Sequence, residues 1–327
     1  MLDIRYIKEN KDLVKSNLKK RFQDQKTHLV DKLLDLYKSW LLVKKEADEL
    51  RSKRNSLSSE INLLKKQKKD TSALLKKAQE LPGKINSLEE KNFSLYKEIL
   101  DLQRQTPNML HKSVPIGEDA SKNKILRSWG EPKKPNYELK AHSDLLEMLS
   151  IADFESGRLV AGKGFNYLLG GMAILDNALQ RYGIDFLRKN GFNQVIPPML
   201  LNYETLLGAL NGLEDFEKVV YKIDQEDLYL IGTAEHSLVA LYKNKEFKKE
   251  DLPIKICAVT PCFRKEIGAH GVDTKGLFRM HQFNKVEQVV FSREENSFET
   301  LEMMQKLTEK FFQSLKIPHR VVEICSG

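Results

Sequence analysis

Residues 263–287 read FRKEIGAHGVDTKGLFRMHQFNKVE, two strand-like runs joined by a glycine-containing loop. Successive side chains of a strand point to opposite faces. Arg264 and Glu266 therefore share one face of the first run, and Arg279, His281, Phe283, Lys285, Glu287 and Val289 share one face of the second. A half-buried antiparallel pair normally alternates apolar with polar residues. Here one face collects charges around a single aromatic ring, and two readings follow. It is either a solvated outer face laced with ion pairs, or a ligand site in which Phe283 takes a flat ring and the arginines take anions. The loop EIGAHGVDTKG (266–276) would then wrap the ligand between the strands.

Strand and helix signals continue toward the N-terminus. PIKICAVTPCFRKE (253–266) reads as one strand, and LYLIGTAE (228–235) as a buried strand running into a polar end, with Thr233 and Glu235 pointing the same way. Met172, Leu175, Ala178, Leu179, Tyr182, Phe186 and Leu187 have helical spacing between Gly171 and Asn190. Gly191 ends that helix, and NQVIPP (193–198) reads as a strand closed by proline. No GxxxxGK[ST] occurs, and the GKG around Lys163 lacks the remaining glycine spacing of a dinucleotide fold. Phosphate would have to be held by arginine forks rather than by a backbone nest.

The first hundred residues have a different period. From Leu29 the positions Leu33, Leu36, Trp40, Val43, Ala47, Leu50, Arg54, Leu57, Ile61 and Leu64 recur at spacings of four and three, and all but Arg54 are apolar. The repeat restarts at Leu74, Ala78, Leu81, Ile85, Leu88, Asn92, Leu95, Ile99 and Leu102 after the polar link KKQKKDTS. A sustained seam of this kind means long helices packed at the coiled-coil period. The short link predicts an antiparallel hairpin, with an intermolecular coiled coil as the alternative. Pro82-Gly83 interrupts the second run. Proline in a helix interior costs about 3 kcal/mol, so a kink or break is expected there. Lys65, Lys66, Lys68 and Lys69 crowd the link. They are either a solvated lysine-rich surface or a place to neutralise phosphates. After Thr106 the composition turns to proline, glycine and polar residues, which puts the domain boundary near residue 105.

At 327 residues the chain is long enough for two domains with separate cores. A net charge of +8 permits a polyanionic partner without requiring one. Three cysteines with no CxxC pair argue against a disulfide framework or a zinc site and for a reducing compartment. The seven histidines show no metal-ligand spacing, and no metal site is expected. The start MLDIRYIKEN lacks an apolar targeting core, and no run of about 18 apolar residues occurs. A cytoplasmic protein without a membrane partner is expected.

Taken together, the paired heptad arm, HKSVPIG at 111–117 followed by WG, TAE at 233–235, and TPCFRKE running on to FRMHQFNKVE resemble the seryl-tRNA synthetases, class II aminoacyl-tRNA synthetases. The GF..V..P pattern from Gly191 to Pro198 resembles class II motif 1, and FRxE with the following R and F resembles motif 2. The resemblance covers the whole chain. It implies an α+β protein in which an N-terminal tRNA-binding antiparallel coiled-coil arm (1–105) precedes a class II antiparallel-sheet catalytic domain (106–327). The implied activity is ATP-dependent activation of L-serine to seryl-adenylate and transfer to tRNA(Ser), with tRNA(Sec) as a further acceptor. Thr233, Ala234, Glu235, Arg264 and Glu287 would contact serine. Arg264, Lys265, Glu266, Arg279, Met280 and Phe283 would contact ATP, with Arg264 on the α-phosphate as the catalytic group and Phe283 against adenine. Lys65, Lys66, Lys68 and Lys69 would contact tRNA, motif 1 would form a homodimer, and Mg²⁺ would accompany ATP with no ligand identified in this chain.

The sequence ends at RVVEICSG, whereas family members continue into motif 3. The expectation is therefore a chain truncated at its C-terminus and weak in activity by itself. A non-catalytic tRNA-binding relative lacking motif 3 is the alternative function. Retention of Arg264, Glu266, Phe283 and Glu287 favours the ligase, and a plain coiled-coil scaffold would not explain the polar face.

Overall fold

The computed structural model describes residues 1–210, 219–266 and 276–327. These fall into two compact units, Met1–Leu126 with Val321–Gly327, and Arg127–Arg320.

The first unit is built on two long helices, α3 (Thr27–Lys66) and α4 (Ser72–Arg104), preceded by α1 (Ile4–Glu9) and α2 (Lys11–Lys20). Lys32 pairs with Glu98 at 2.8 Å and Arg51 with Glu89 at 2.7 Å. Between them, Trp40 Nε1 donates to Asn92 Oδ1 at 2.9 Å. Rising numbers on one helix meet falling numbers on the other, so the hairpin is antiparallel and closes within the chain. The heptad residues Leu33, Val43, Ala47, Leu57, Ile61, Leu81, Ile85, Ile99 and Leu102 are buried, as the period requires. Asn92 is a polar intruder in the seam, and its bond to Trp40 gives the hairpin a register mark that aliphatic residues cannot supply.

At the base, Ile7, Val14 and Leu18 of the short helices join Val30, Leu33, Ile99 and Leu102 in one core. The expected break at Pro82 does not occur, since α4 runs unbroken through it. Proline removes one backbone hydrogen bond there, but the flanking Leu81 and Ile85 are buried with Leu57 in a shared cluster. Burial of such side chains, at about 1.5–3 kcal/mol each, offsets a penalty of that size. At the hairpin tip Lys68 adopts φ +56°, and the N–H of Lys69 bonds the carbonyl of Leu64, a left-handed helix end usually given to glycine.

In the second unit the strands Ile254–Phe263 and Gln282–Phe291 pair antiparallel over their full length, and Asn193–Gln194 lies parallel on the outer side of the first. The helix expected from Gly171 to Asn190 spans Gly170–Lys189. It and the helix Ser297–Ser314 cover one sheet face, where Ile184, Leu187, Phe192, Cys257 and Leu307 form a core with Val259, Val286 and Val290. The short helix Ala234–Ala240 packs on the lower part of the opposite face, against Ile256, Ala258 and Val289. Beyond that helix the same face continues to Thr260, Cys262, Phe283 and Lys285.

Among the described residues no helix is long and apolar enough to cross a membrane.

Candidate functional site

Register decides what the open face presents. Ala258 lies opposite Glu287, Thr260 opposite Lys285 and Cys262 opposite Phe283. Directly opposed residues of an antiparallel pair project to the same side. Small or neutral side chains on the inner strand thus leave room for Glu287, Lys285 and Phe283 on its partner. Phe283, Lys285 and Glu287 thus share the face expected from the two-residue period, whereas Arg279 and His281 precede the strand, which begins at Gln282.

One expectation is corrected. Thr233 and Glu235 do not end a strand, because the strand there is only Tyr229–Leu230. Thr233 is the N-cap of the helix Ala234–Ala240, and the Glu235 N–H donates to its Oγ1 at 3.2 Å. Threonine accepts the first free amide of a helix well, and that local preference outweighs strand propensity. The consequence is different geometry for TAE. Ala234 is fully buried in the core and offers only backbone, Glu235 is exposed, and Thr233 reaches the sheet. Its hydroxyl donates to Glu287 Oε2 at 2.7 Å and accepts from Lys285 Nζ at 2.8 Å.

Arg264 stands immediately beyond its strand. Its Nε donates to the Gly232 carbonyl at 3.1 Å, and its guanidinium lies 5.2 Å from the centre of the Phe283 ring. Among the described residues the terminal amino groups of the fork make no hydrogen bond, and such groups suit the oxygen atoms of a ligand. Glu266 and Arg279 meet across the strand ends at 2.7 Å. Glu266 holds φ +47°, a left-handed conformation that costs a non-glycine residue on the order of 1 kcal/mol. Met280 is buried. Lys265 departs from the group: its ammonium lies over the Tyr221 ring at 5.9 Å. The loop expected to wrap a ligand, at 267–275, lies outside the described residues. Lys65, Lys66, Lys68 and Lys69 are exposed at the tip of the first unit.

Several contributors were missed in the sequence. The Gly232 carbonyl carries no side-chain signal at all. His236 is only 6% exposed, its Nδ1 has no hydrogen-bond partner among the described residues, and burial, reinforced by Lys285 and Arg264, pulls its pKa to about 4. It is therefore neutral at ordinary pH, so no third positive charge stands beside Lys285 and Arg264.

His281 forms the link to the chain near Lys163. Its ring stacks on Phe165 at 5.2 Å, its Nδ1 lies 2.6 Å from the Tyr221 hydroxyl, and its N–H donates to the Gly164 carbonyl at 2.9 Å. Burial pushes the Tyr221 phenol up, so that hydroxyl stays protonated. A Cβ at Gly164, where φ is +84°, would come within 2.3 Å of the His281 ring. Gly164 thus serves close packing against His281.

The assembled groups are an anchored arginine fork, an aromatic ring beside it, and a half-buried carboxylate–hydroxyl–ammonium cluster. Such a set can hold an aromatic nucleotide base, an anionic phosphate or carboxylate, and a small polar side chain within one span.

Known proteins match the same regions. Residues 1–110 match the seryl-tRNA synthetase N-terminal domain, and residues 219–327 match the class II tRNA synthetase core domain for G, H, P, S and T. A serine–tRNA ligase of Methanocella arvoryzae is 43% identical over 327 residues, which cover all of this chain and 77% of that relative. The crystal structure of seryl-tRNA synthetase from Pyrococcus horikoshii complexed with ATP superposes with a TM-score of 0.85 at 42% identity, over 100% of this chain and 77% of that one. The cytoplasmic serine–tRNA ligase of Naegleria fowleri in complex with AMP gives a TM-score of 0.81 at 33% identity, over 100% and 76%. Identity at this level along the whole chain, together with the arm and the sheet face described above, shows that the chain belongs to the seryl-tRNA synthetase family.

Proposed function

We propose that this chain activates L-serine with ATP and transfers the seryl group to tRNA(Ser), with tRNA(Sec) as a further acceptor. The carrying observation is the convergence of Arg264, Phe283, Thr233 and Glu287 on one sheet face. In this reading adenine lies against Phe283, and the Arg264 fork grips the α-phosphate together with the serine carboxylate. The carboxylate oxygen attacks the α-phosphorus and pyrophosphate leaves. A ribose hydroxyl of the tRNA terminus then attacks the seryl carbonyl, and AMP leaves. Neither step needs a protein nucleophile. The protein supplies alignment and a positive charge where negative charge develops. Glu266 and Arg279, paired at the strand ends, would border the nucleotide, with Lys265 and the backbone of Met280 alongside. Ala234 would contribute backbone to the serine pocket, and Glu235 its rim.

Mg²⁺ enters in this reading with the nucleotide. Among the described residues no three His, Cys, Asp or Glu side chains gather to hold a metal, and Glu266 and Glu287 are each paired with a protein cation. No step is therefore assigned to protein-bound metal.

Residues 1–105 would bind tRNA and residues 106–327 would carry catalysis. A homodimer through motif 1 is supported by the apolar side chains that Ile174, Leu175 and Ile196 expose, the last at 92%. A cytoplasmic location is supported by the cysteine usage and by the family.

The test is serine-dependent ATP–pyrophosphate exchange on this chain, with alanine and threonine as controls. Weak exchange with serine alone is expected of this chain, and stronger exchange when it is lengthened to the span of its relatives. No exchange by either, combined with retained tRNA binding that weakens when Lys65, Lys66, Lys68 and Lys69 become glutamate, would replace the ligase with the non-catalytic tRNA-binding reading.

A further inference from the structure

Lys285 is the cation around which the polar pocket closes. Its ammonium donates to Thr233 Oγ1 at 2.8 Å and pairs with Glu287 Oε2 at 2.5 Å, while the Thr233 hydroxyl donates to that same carboxylate oxygen at 2.7 Å. The triangle has a direction. An ammonium carries donors only, so Thr233 must accept from it, and the one hydroxyl proton is left to point at Glu287. Both contacts fall on Oε2, and among the described residues Oε1 takes no hydrogen bond. Thr233 is 7% exposed, and the side chains of Glu287 and Lys285 are 16% and 33% exposed. Partial burial therefore weakens the competition of bulk water for the triangle.

The three members come from two rigid elements. Lys285 and Glu287 are two apart on one strand face, and Thr233 is fixed by its capping bond to Glu235. Arg264 is tied to Gly232, the residue before Thr233, and so approaches the cluster from the nucleotide side.

We infer that Lys285 is a positioning residue that sets amino-acid selectivity. It fixes the Thr233 hydroxyl as a donor to Glu287 and holds the carboxylate so that Oε1 faces the hydroxyl of a small hydroxy amino acid. The inference rests on the reading of this pocket as the serine site. Its physical basis is that a buried acceptor discriminates only when it is held in place. Alanine then leaves Oε1 unpaired and is penalised, whereas a carboxylate free to turn finds another partner and the penalty fades. Lys285 contacts Thr233 and Glu287, whereas Phe283 lies against Arg264, so its removal is expected to bear on the amino acid more than on the nucleotide.

The experiment is calorimetric titration of the chain with non-hydrolysable sulfamoyl analogues of seryl- and alanyl-adenylate, and with ATP. Wild type is expected to prefer the seryl analogue. Lys285→Met should lose at least about ten-fold in seryl affinity, with alanyl and ATP affinities within about two-fold, and Lys285→Arg should recover part of the preference. In the double variant with Thr233→Val the two losses should fail to multiply, because Lys285 acts through Thr233. An unchanged seryl-to-alanyl ratio in folded Lys285→Met, or fully multiplicative losses, would overturn the role of Lys285. A wild-type chain that does not distinguish the two analogues would instead overturn the serine reading itself. Should Lys285→Met fail to fold, Lys285→Gln carries the same comparison.

Discussion

Along the arm, Leu57, Ile61, Leu81 and Ile85 repeat one task at successive turns, whereas on the sheet face Arg264, Phe283, Lys285 and Glu287 each perform a different one. The arm is redundant, and it absorbs a proline in mid-helix without breaking. The sheet face has no spare parts. Its geometry depends on bonds between residues dozens of positions apart, such as Arg264 to Gly232 and Thr233 to Glu287. Stability spread over many equal contacts tolerates loss, and chemistry concentrated in single groups does not.

The sharpest way to break this contrast is Arg264→Ala. Loss of the fork should lower serine-dependent pyrophosphate exchange by about a thousand-fold or more, the scale of removing a preorganised charge from a transition state. Binding of tRNA by the arm should be largely unaffected. A parallel loss of both, measured by exchange and filter binding on the same preparation, would dissolve the separation between arm and sheet.

A smaller effect is expected from acid, and it should arise in the sheet unit rather than the arm. His236 titrates near 4 in the folded chain against an ordinary 6.5. Between those values the unfolded chain binds a proton that the folded chain refuses, so stability falls as pH drops from about 6.5 to about 4. The shift corresponds to roughly 3 kcal/mol at most. Lys285 and Arg264 disfavour the imidazolium and Glu287 favours it. Urea unfolding at pH 7 and pH 4 should show a smaller pH-dependent loss in His236→Gln than in wild type. Equal losses would remove His236 from the account.

The smallest effect sharpens the comparison at the arm's tip. Lys68→Gly relieves a left-handed lysine and should stabilise the hairpin by about 0.5–1 kcal/mol in thermal unfolding. If the tip contacts phosphates, the same change should lower the slope of log affinity for tRNA against log salt by about 0.7–0.9. A stability gain with an unaltered slope would return Lys68 to a solvated surface role.

The two regions also differ in how legible they were. Heptads announce the arm because coiled-coil packing repeats the same local rule, and the two-residue period by itself groups Phe283, Lys285 and Glu287 on one face. The short helices at the base of the arm carried too few turns for a clear period, yet they close its core. Thr233 was misplaced at a strand end because LYLIG resembles a buried strand, and the capping preference of threonine decided otherwise.

What the sequence determined by itself was periodicity and residue chemistry: a paired-helix arm, a sheet with one charged face, a family resemblance, and most of the site's side chains. Only the tertiary structure decided which of those side chains meet. It tied Arg264 to a backbone carbonyl, enlisted Lys285 between Thr233 and Glu287, buried His236 in neutral form, and turned Lys265 toward Tyr221. The physical reason is that periodicity follows from neighbours a few residues apart. A hydrogen bond between residues 52 or 54 positions apart in sequence, as for Lys285 and Glu287 with Thr233, follows only from how the helix cap and the strand pack together.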